Sequence, residues 1–200
     1  VTITFDEEKH EYRLDGAVIP SVTQIIGGVG LVDTQWFTEE SRQRGHAVHA
    51  ATQLEDAGVL DWSNLHPEVE PRAHAWRKFK QDTGYVPILV EHMVHNVPMG
   101  YVGRLDRVCA HHLRANDRII LDIKSGLPGA TTGLQLAGYV MALGESYRDL
   151  WTKRYGLWLR EDATYRLIPY KELSDFEDFK AAIRLNNWRK RNNVNHGAEL

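Results

Sequence analysis

The sequence predicts a single domain of the α/β or α+β class, with a central mixed β-sheet flanked by helices. Three observations carry that prediction. Residues 86–95, 100–110 and 117–124 are short runs rich in Val, Ile and Leu, separated by turn residues, and read as consecutive strands. Residues 153–160 and 163–169 read as a hairpin around Glu161-Asp162. Helical patterns precede, separate and follow these strands, so the order is helices, three strands, helix, two strands, helix. A length of 200 residues suits one domain, and 42% hydrophobic with 10% aromatic residues supports a sizeable core.

The elements follow in chain order. Residues 2–5 and 11–14 flank a polar turn and predict a small hairpin. Pro20 stops the chain, and Ser21 is placed to cap a short helix carrying Val22, Ile25 and Ile26, which the Gly27 to Gly30 stretch ends. Helical periodicity runs from about Trp36 to Ala57, and again from Pro67, at a first-turn position, to about Thr83. The three strands come next, then a helix over 132–145, the hairpin, and an amphipathic helix over 173–192. Residues 1–35 thus form an N-terminal hairpin and helix, 36–170 the core, and 171–200 a closing helix.

Composition excludes several functions. The lone cysteine, Cys109, forms no internal disulfide and rules out a four-thiolate zinc or iron–sulfur site. No run approaches the roughly 18 apolar residues of a membrane span, and VTITFDEEKH shows no signal-peptide pattern, so a soluble, cytoplasmic protein is expected. Net charge is −3. Arg184, Arg189, Lys190 and Arg191 cluster near the C-terminus, and Arg72, Arg77, Lys78 and Lys80 mid-chain. Either cluster suits phosphates, and either reads equally as a solvated helix face.

The third strand, Ile119-Ile120-Leu121-Asp122-Ile123-Lys124, places Asp122 and Lys124 on one face and Leu121 and Ile123 on the other. By itself this reads as readily as an ion pair at a strand end. The second strand adds Asp106 among apolar residues, 16 positions earlier. A hairpin turn at Arg114 to Asp117 would set Asp106 beside Asp122. Adjacent carboxylates repel unless a cation lies between them, and hard divalent ions prefer oxygen ligands. The Ile123 carbonyl and waters would complete the coordination. Glu91 in the first strand is a third acid embedded in an apolar run.

These residues resemble the PD-(D/E)XK nuclease superfamily, in particular its RecB-like exonuclease branch. The similarity rests on Gly103-x-x-Asp106, Asp122-x-Lys124, Gln135-x-x-x-Tyr139, the helix motif Arg44-Gly45-His46-Ala47-Val48-His49, and Glu91 on the first core strand. The segment from Tyr12 to Gly16 and Pro20 to Thr23 is similar to phage exonucleases and the mitochondrial genome maintenance exonuclease. Together the motifs cover roughly residues 12–139. Asp122 stands where many superfamily members have Glu.

The resemblance implies a restriction-endonuclease-like core and a DNA nuclease in recombination, repair or phage replication. It implies one or two Mg2+ or Mn2+ ions held by His49, Asp106, Asp122 and the Ile123 carbonyl, with Glu91 assisting directly or through water. Lys124 would position or deprotonate the attacking water, or add positive charge; acting as a base requires a depressed pKa. Gln135, Tyr139, Arg44, Ser125, Ser21 and Thr23 are the candidate DNA contacts. Several of these have plainer readings. Gln135 and Tyr139, one helical turn apart, also suit a polar patch or a buttress, and Ser21 and Thr23 suit simple capping. His46 shares its helix with His49, and His92, His95, His111 and His112 lack zinc-ligand spacing. DNA is the expected partner, with a homo-oligomer or a recombination protein as further options. A DNA-binding module without turnover, an endonuclease and a phosphomonoesterase stay open as alternatives.

Overall fold

A computed structural model describes residues 2–6, 11–31, 38–114 and 116–194. The N-terminal part is a three-stranded antiparallel sheet of β1 (Ile3–Asp6), β2 (Glu11–Leu14) and β3 (Ala17–Ile19), followed by α1 (Val22–Gly28). Two helices come next, α2 (Glu39–Asp56) and α3 (Glu70–Thr83). The main sheet has β4 (Tyr85–Asn96), β5 (Tyr101–His111), β6 (Arg118–Lys124), β7 (Arg154–Leu159) and β8 (Tyr165–Tyr170) in spatial order 4-5-6-7-8. Only β6 and β7 pair in parallel, and α4 (Thr131–Leu143) and a 3-10 stretch (Glu145–Thr152) connect them. The closing helix is α5 (Ser174–Arg191). The mixed α/β class and all seven predicted strand and helix positions from residue 86 onward agree with the sequence reading.

Local chemistry explains most boundaries. Ser21 caps α1 in a reciprocal box: its side chain accepts from Gln24 N–H, and its own N–H donates to Gln24 Oε1 at 2.9 Å. Thr38 caps α2 through Ser41 N–H at 3.1 Å. Gly84, with φ of 73°, closes α3 in the left-handed conformation. Three expectations need correction. The helix expected from Pro67 starts at Glu70, so Pro71 is the first-turn proline. The hairpin gains a third strand, β3, and Gly27 and Gly28 lie inside α1 rather than beyond it. Trp36, the expected start of the second helix, lies outside the described residues. Pro87 and Pro169 both sit in edge strands, where a missing N–H is tolerated.

The main sheet is covered on both faces. One face packs against α1, α4 and α5 through Val22, Ile25, Leu136, Val140, Phe176 and Phe179. The other packs against α2 and α3 through Val48, Ala73, Trp76 and Phe79. The residues of β6 alternate between them, Ile120 on the first and Ile119, Leu121 and Ile123 on the second. Among the described residues no helix is long and apolar enough to cross a membrane.

In β5 and β4 the alternation slips. Leu105 and Val108, three apart, join the same core, as do Leu89 and Val94, five apart. In straight strands each pair would point to opposite faces. Pairing keeps one register on either side, Val90 with Arg107 and His92 with Leu105, so the irregularity falls on Glu91 and Asp106 together. Glu91 has φ of 44°, a left-handed conformation inside a strand. For a residue other than glycine this stores on the order of 1–3 kcal/mol, a kind of strain concentrated at functional sites.

Cys109 tests the packing of the second core. Its side chain is fully buried, and burial, aided by the negative charge of Asp56, pushes the thiol far above its ordinary range. The native protein is expected to leave Ellman's reagent uncoloured and to react with one equivalent after unfolding in guanidinium. Rapid reaction of the native chain would refute the close packing of α2 and α3 on this face.

Candidate metal centre

The site forms where β5 and β6 part. Their pairing runs from Ala110–Arg118 to Arg107–Leu121 and stops there. One step further, Asp106 replaces the backbone partner: its Oδ2 accepts from Ile123 N–H at 2.6 Å. The carbonyl of Ile123 meets His49 Nε2 at 3.0 Å, reaching in from α2. His49 Nδ1 lies 3.2 Å from Glu91 Oε1, and His49 Nε2 lies 3.8 Å from Asp106 Oδ2. Glu91, on β4, reaches the same point because its strained backbone turns the side chain toward β5 and α2.

His49, Glu91 and Asp106 each offer one ligand atom, and these atoms all lie within 4.8 Å of one another. An imidazole and two carboxylates, with the Ile123 carbonyl alongside, make an oxygen-rich donor set that suits a hard or borderline divalent ion. The group is buried or half-buried and can hold a metal ion.

The charges are strongly coupled. Burial alone would lower the His49 imidazole, but Asp106 and Glu91 outweigh it and raise the pKa to about 9. Acceptors face both ring nitrogens, Glu91 Oε1 at Nδ1 and the Ile123 carbonyl at Nε2, and a metal bound at either nitrogen would take the place of its proton. Burial raises Asp106, and the nearby carboxylates of Asp122 and Glu91 add to that while His49 and Lys124 oppose it. Burial would raise Glu91 as well, yet His49 and Arg107 bring it below its usual value.

Asp122 and Lys124 sit beside this group, on the α4 side of β6. Asp122 is not among the three converging ligands. Lys124 Nζ pairs with Asp122 Oδ2 at 2.7 Å, and the buried Oδ1 of Asp122 has no hydrogen-bond partner. A buried carboxylate with one oxygen unpartnered is costly, and a second cation would satisfy it. Burial opposes the charge on Lys124, but Asp122 and Asp106 prevail and hold its pKa above the ordinary lysine value. The depressed value required of a basic lysine is therefore absent with these carboxylates ionised.

The remaining sequence candidates fall into two groups. Gln135 Nε2 donates to the Tyr139 hydroxyl at 3.0 Å, and Tyr139 is buried close enough to Asp106 and Asp122 to feel both. Its ring explains Gly103, since a Cβ there would come within 2.6 Å of it. Tyr139 thus supports the acids from the α4 side. Ser125 follows Lys124 at the strand exit, and a Cβ at Gly45 of α2 would lie 3.9 Å from its Oγ. Arg44 flanks that contact. Ser21 is buried and engaged in capping, with Thr23 Oγ1 3.0 Å from its hydroxyl.

One central residue escaped the sequence reading. Arg107 is fully buried and donates from Nε to Asp56 at 2.8 Å, from Nη1 to Glu91 at 2.9 Å and to the Asp106 carbonyl at 2.7 Å, and from Nη2 to Thr52 at 3.1 Å. It ties α2 to the irregular point of β4 and β5. The available signal was a second charge beside Asp106 in an apolar strand. Compared with models of known protein families and with curated proteins, the chain matches none.

Removing the Arg107 guanidinium strands two carboxylates that are themselves largely buried. Arg107→Ala is expected to cost about 3–5 kcal/mol in urea unfolding, the range for breaking a buried ion pair from one side. A loss below about 1 kcal/mol, the level of an exposed pair, would show that the network is not what holds α2.

Proposed function

We propose that the chain is a metal-dependent DNA nuclease of the PD-(D/E)XK superfamily, RecB-like branch, built on a restriction-endonuclease-like core and acting as an exonuclease at DNA ends. The observation that carries this reading is the convergence of His49, Glu91 and Asp106 beside the Ile123 carbonyl, with the buried Asp122–Lys124 pair next to them. Surface acids do not gather in this way around a strand opening.

In this reading His49, Asp106, Asp122 and the Ile123 carbonyl hold Mg2+ or Mn2+, and Glu91 assists. The ion would neutralise the scissile phosphate, acidify a bound water and stabilise charge on the leaving oxygen. The chain's own residues do the rest. Lys124, beside Asp122, positions or deprotonates the attacking water or offsets charge on the phosphate. Glu91, fixed by Arg107, keeps the His49 ring in place. Tyr139 and Gln135 exclude water from the α4 side and hold Asp122 within a dry wall.

Two expectations follow. Mn2+ at about 100 times its dissociation constant should stabilise the chain by about 2.7 kcal/mol, read as a rise in Tm that Asp106→Asn abolishes; an equal rise in that variant would place the ion elsewhere. End-labelled linear DNA should be degraded with Mg2+ or Mn2+ and spared in EDTA. Lys124→Ala and Asp122→Ala should lose on the order of 10²-fold or more in rate. Activity surviving those changes would remove the mechanism, and closed circles cut as fast as linear DNA would make the enzyme an endonuclease.

A further inference from the structure

The mid-chain basic cluster is mostly spent on ion pairs. Arg77 and Lys80 meet Glu55, Lys80 also meets Asp56, and Lys78 meets Asp82. Arg72, in the first turn of α3, is different. Its side chain is only 7% exposed, yet it sits close enough to Arg44 of α2 for the two cations to oppose each other.

Both arginines converge on Glu68. Arg72 donates to its backbone carbonyl, and Arg44 Nη1 lies 3.6 Å from its carboxylate. Arg72 Nη2 is 3.9 Å from Glu161 Oε2. The Nε of each arginine is buried without a hydrogen-bond partner. The two acids are loosely placed and solvated, with side chains 45% exposed at Glu68 and 87% at Glu161. Pairs at such distances and exposures contribute little. Two guanidiniums therefore meet at Glu68, one of them almost wholly buried, each with an unpartnered Nε and weakly held counter-charges. A tetrahedral phosphate, which guanidinium forks grip through their terminal nitrogens, would replace those weak counter-charges.

The position relative to the metal centre is equally specific. Arg44 precedes Gly45, which faces Ser125 at the end of the Lys124 strand. It stands five residues before His49, about 7.5 Å along the helix axis. That is about two nucleotide steps at the ~3.4 Å rise of one strand.

We propose that Arg44 and Arg72 together bind one phosphate of a nucleic-acid strand, as a second anchor beside the metal centre. The identity of the strand rests on the nuclease reading; recognition of the anion does not. Arg72 lies outside every motif of the resemblance, and its partnership with Arg44 is set by the packing of α2 against α3. The Glu68 and Glu161 carboxylates swing into solvent as the phosphate enters.

The test compares the full chain with Arg44→Gln and Arg72→Lys, the latter keeping the charge but losing the fork. In EDTA, inorganic phosphate is expected to raise the wild-type Tm relative to chloride at equal ionic strength, and this rise is lost in both variants. Anisotropy of a labelled oligonucleotide, also in EDTA, should show binding weakened about tenfold in Arg44→Gln, with the salt slope reduced by about one. Oligonucleotides with and without a terminal phosphate separate the two sources: equal losses assign an internal phosphodiester, and a loss confined to the phosphorylated strand assigns its end. Variants that keep a wild-type circular dichroism spectrum and bind the strand as wild type does would overturn the proposal, as would a response to free phosphate alone. If Arg72→Lys does not fold, Arg44→Gln, partly exposed, decides by itself. Failure of the wild type to hydrolyse DNA while these losses persist would remove the nuclease reading and leave the anion site standing.

Discussion

A guanidinium buried at the middle of the sheet organises this molecule. Arg107 gives up all exposure to water, and taking such a group out of solvent costs several kcal/mol unless its donors and charge are met. They are met from three directions: Asp56 and Thr52 on α2, Glu91 on β4, and the carbonyl of Asp106 beside it on β5. Each contact constrains something else. Asp56 also accepts from Trp76 Nε1 at 2.9 Å and Lys80 Nζ at 2.8 Å, which brings α3 into the same network. Glu91, held by Arg107, is aimed at His49. The bond to the Asp106 carbonyl fixes the place where the strand changes phase. A hydrophobic residue of similar volume would pack there without this cost, but it would specify none of these orientations.

The candidate centre follows from the seam that this arrangement opens. If β5 and β6 stayed paired to the end of Lys124, the Ile123 N–H and carbonyl would face backbone, with no room for side chains. Instead the Asp106 carboxylate accepts from the Ile123 N–H, and the His49 ring meets the Ile123 carbonyl. The sheet thus exchanges two ladder contacts for a carboxylate and an imidazole brought to one point. Glu91 adds backbone strain, and Asp122 adds a buried carboxylate paired to Lys124 through one oxygen. Pairing of β4 with β5 holds one register from Leu89 to Asn96 across this point, and its one shift falls earlier, between Pro87 and Leu89. Defects concentrated at one place are better explained by chemistry than by poor packing.

Long periodic segments were legible in the sequence because their burial alternates as geometry demands. Strands β4 to β8 and helices α4 and α5 fall close to where the Val, Ile and Leu pattern puts them. Short or capped-over features were less legible. The three residues of β3 are too few to show a period, and Pro67 drew attention from Pro71, which occupies the helical turn. At the site, Asp106, Asp122, Glu91 and Lys124 stood out as charges in apolar runs. Their mutual arrangement did not, since alternation along β5 fails at Asp106 itself. Arg107 was hidden for a related reason. Next to an acid in a strand, an arginine reads as the outward half of an in–out pattern, and only the phase change turns it toward α2.

Helix α2 shows why composition alone would misplace such a site. Gly45, His49, Thr52 and Asp56 recur at spacings of four, three and four, one continuous stripe. By hydropathy this stripe belongs in solvent, yet it faces the sheet. Gly45 admits the Ser125 exit, His49 enters the seam, and Thr52 and Asp56 grip Arg107. The helix is seated as much by directed polar contacts as by its few buried apolar side chains, Val48 and Ala51. Directed contacts fix rotation and axial position more tightly than apolar packing does, because each has one geometry in which it is satisfied. The same helix carries Arg44 beyond Gly45. The axial distance from Arg44 to His49 is therefore set by helix rise, and Arg107 seats the helix that carries both.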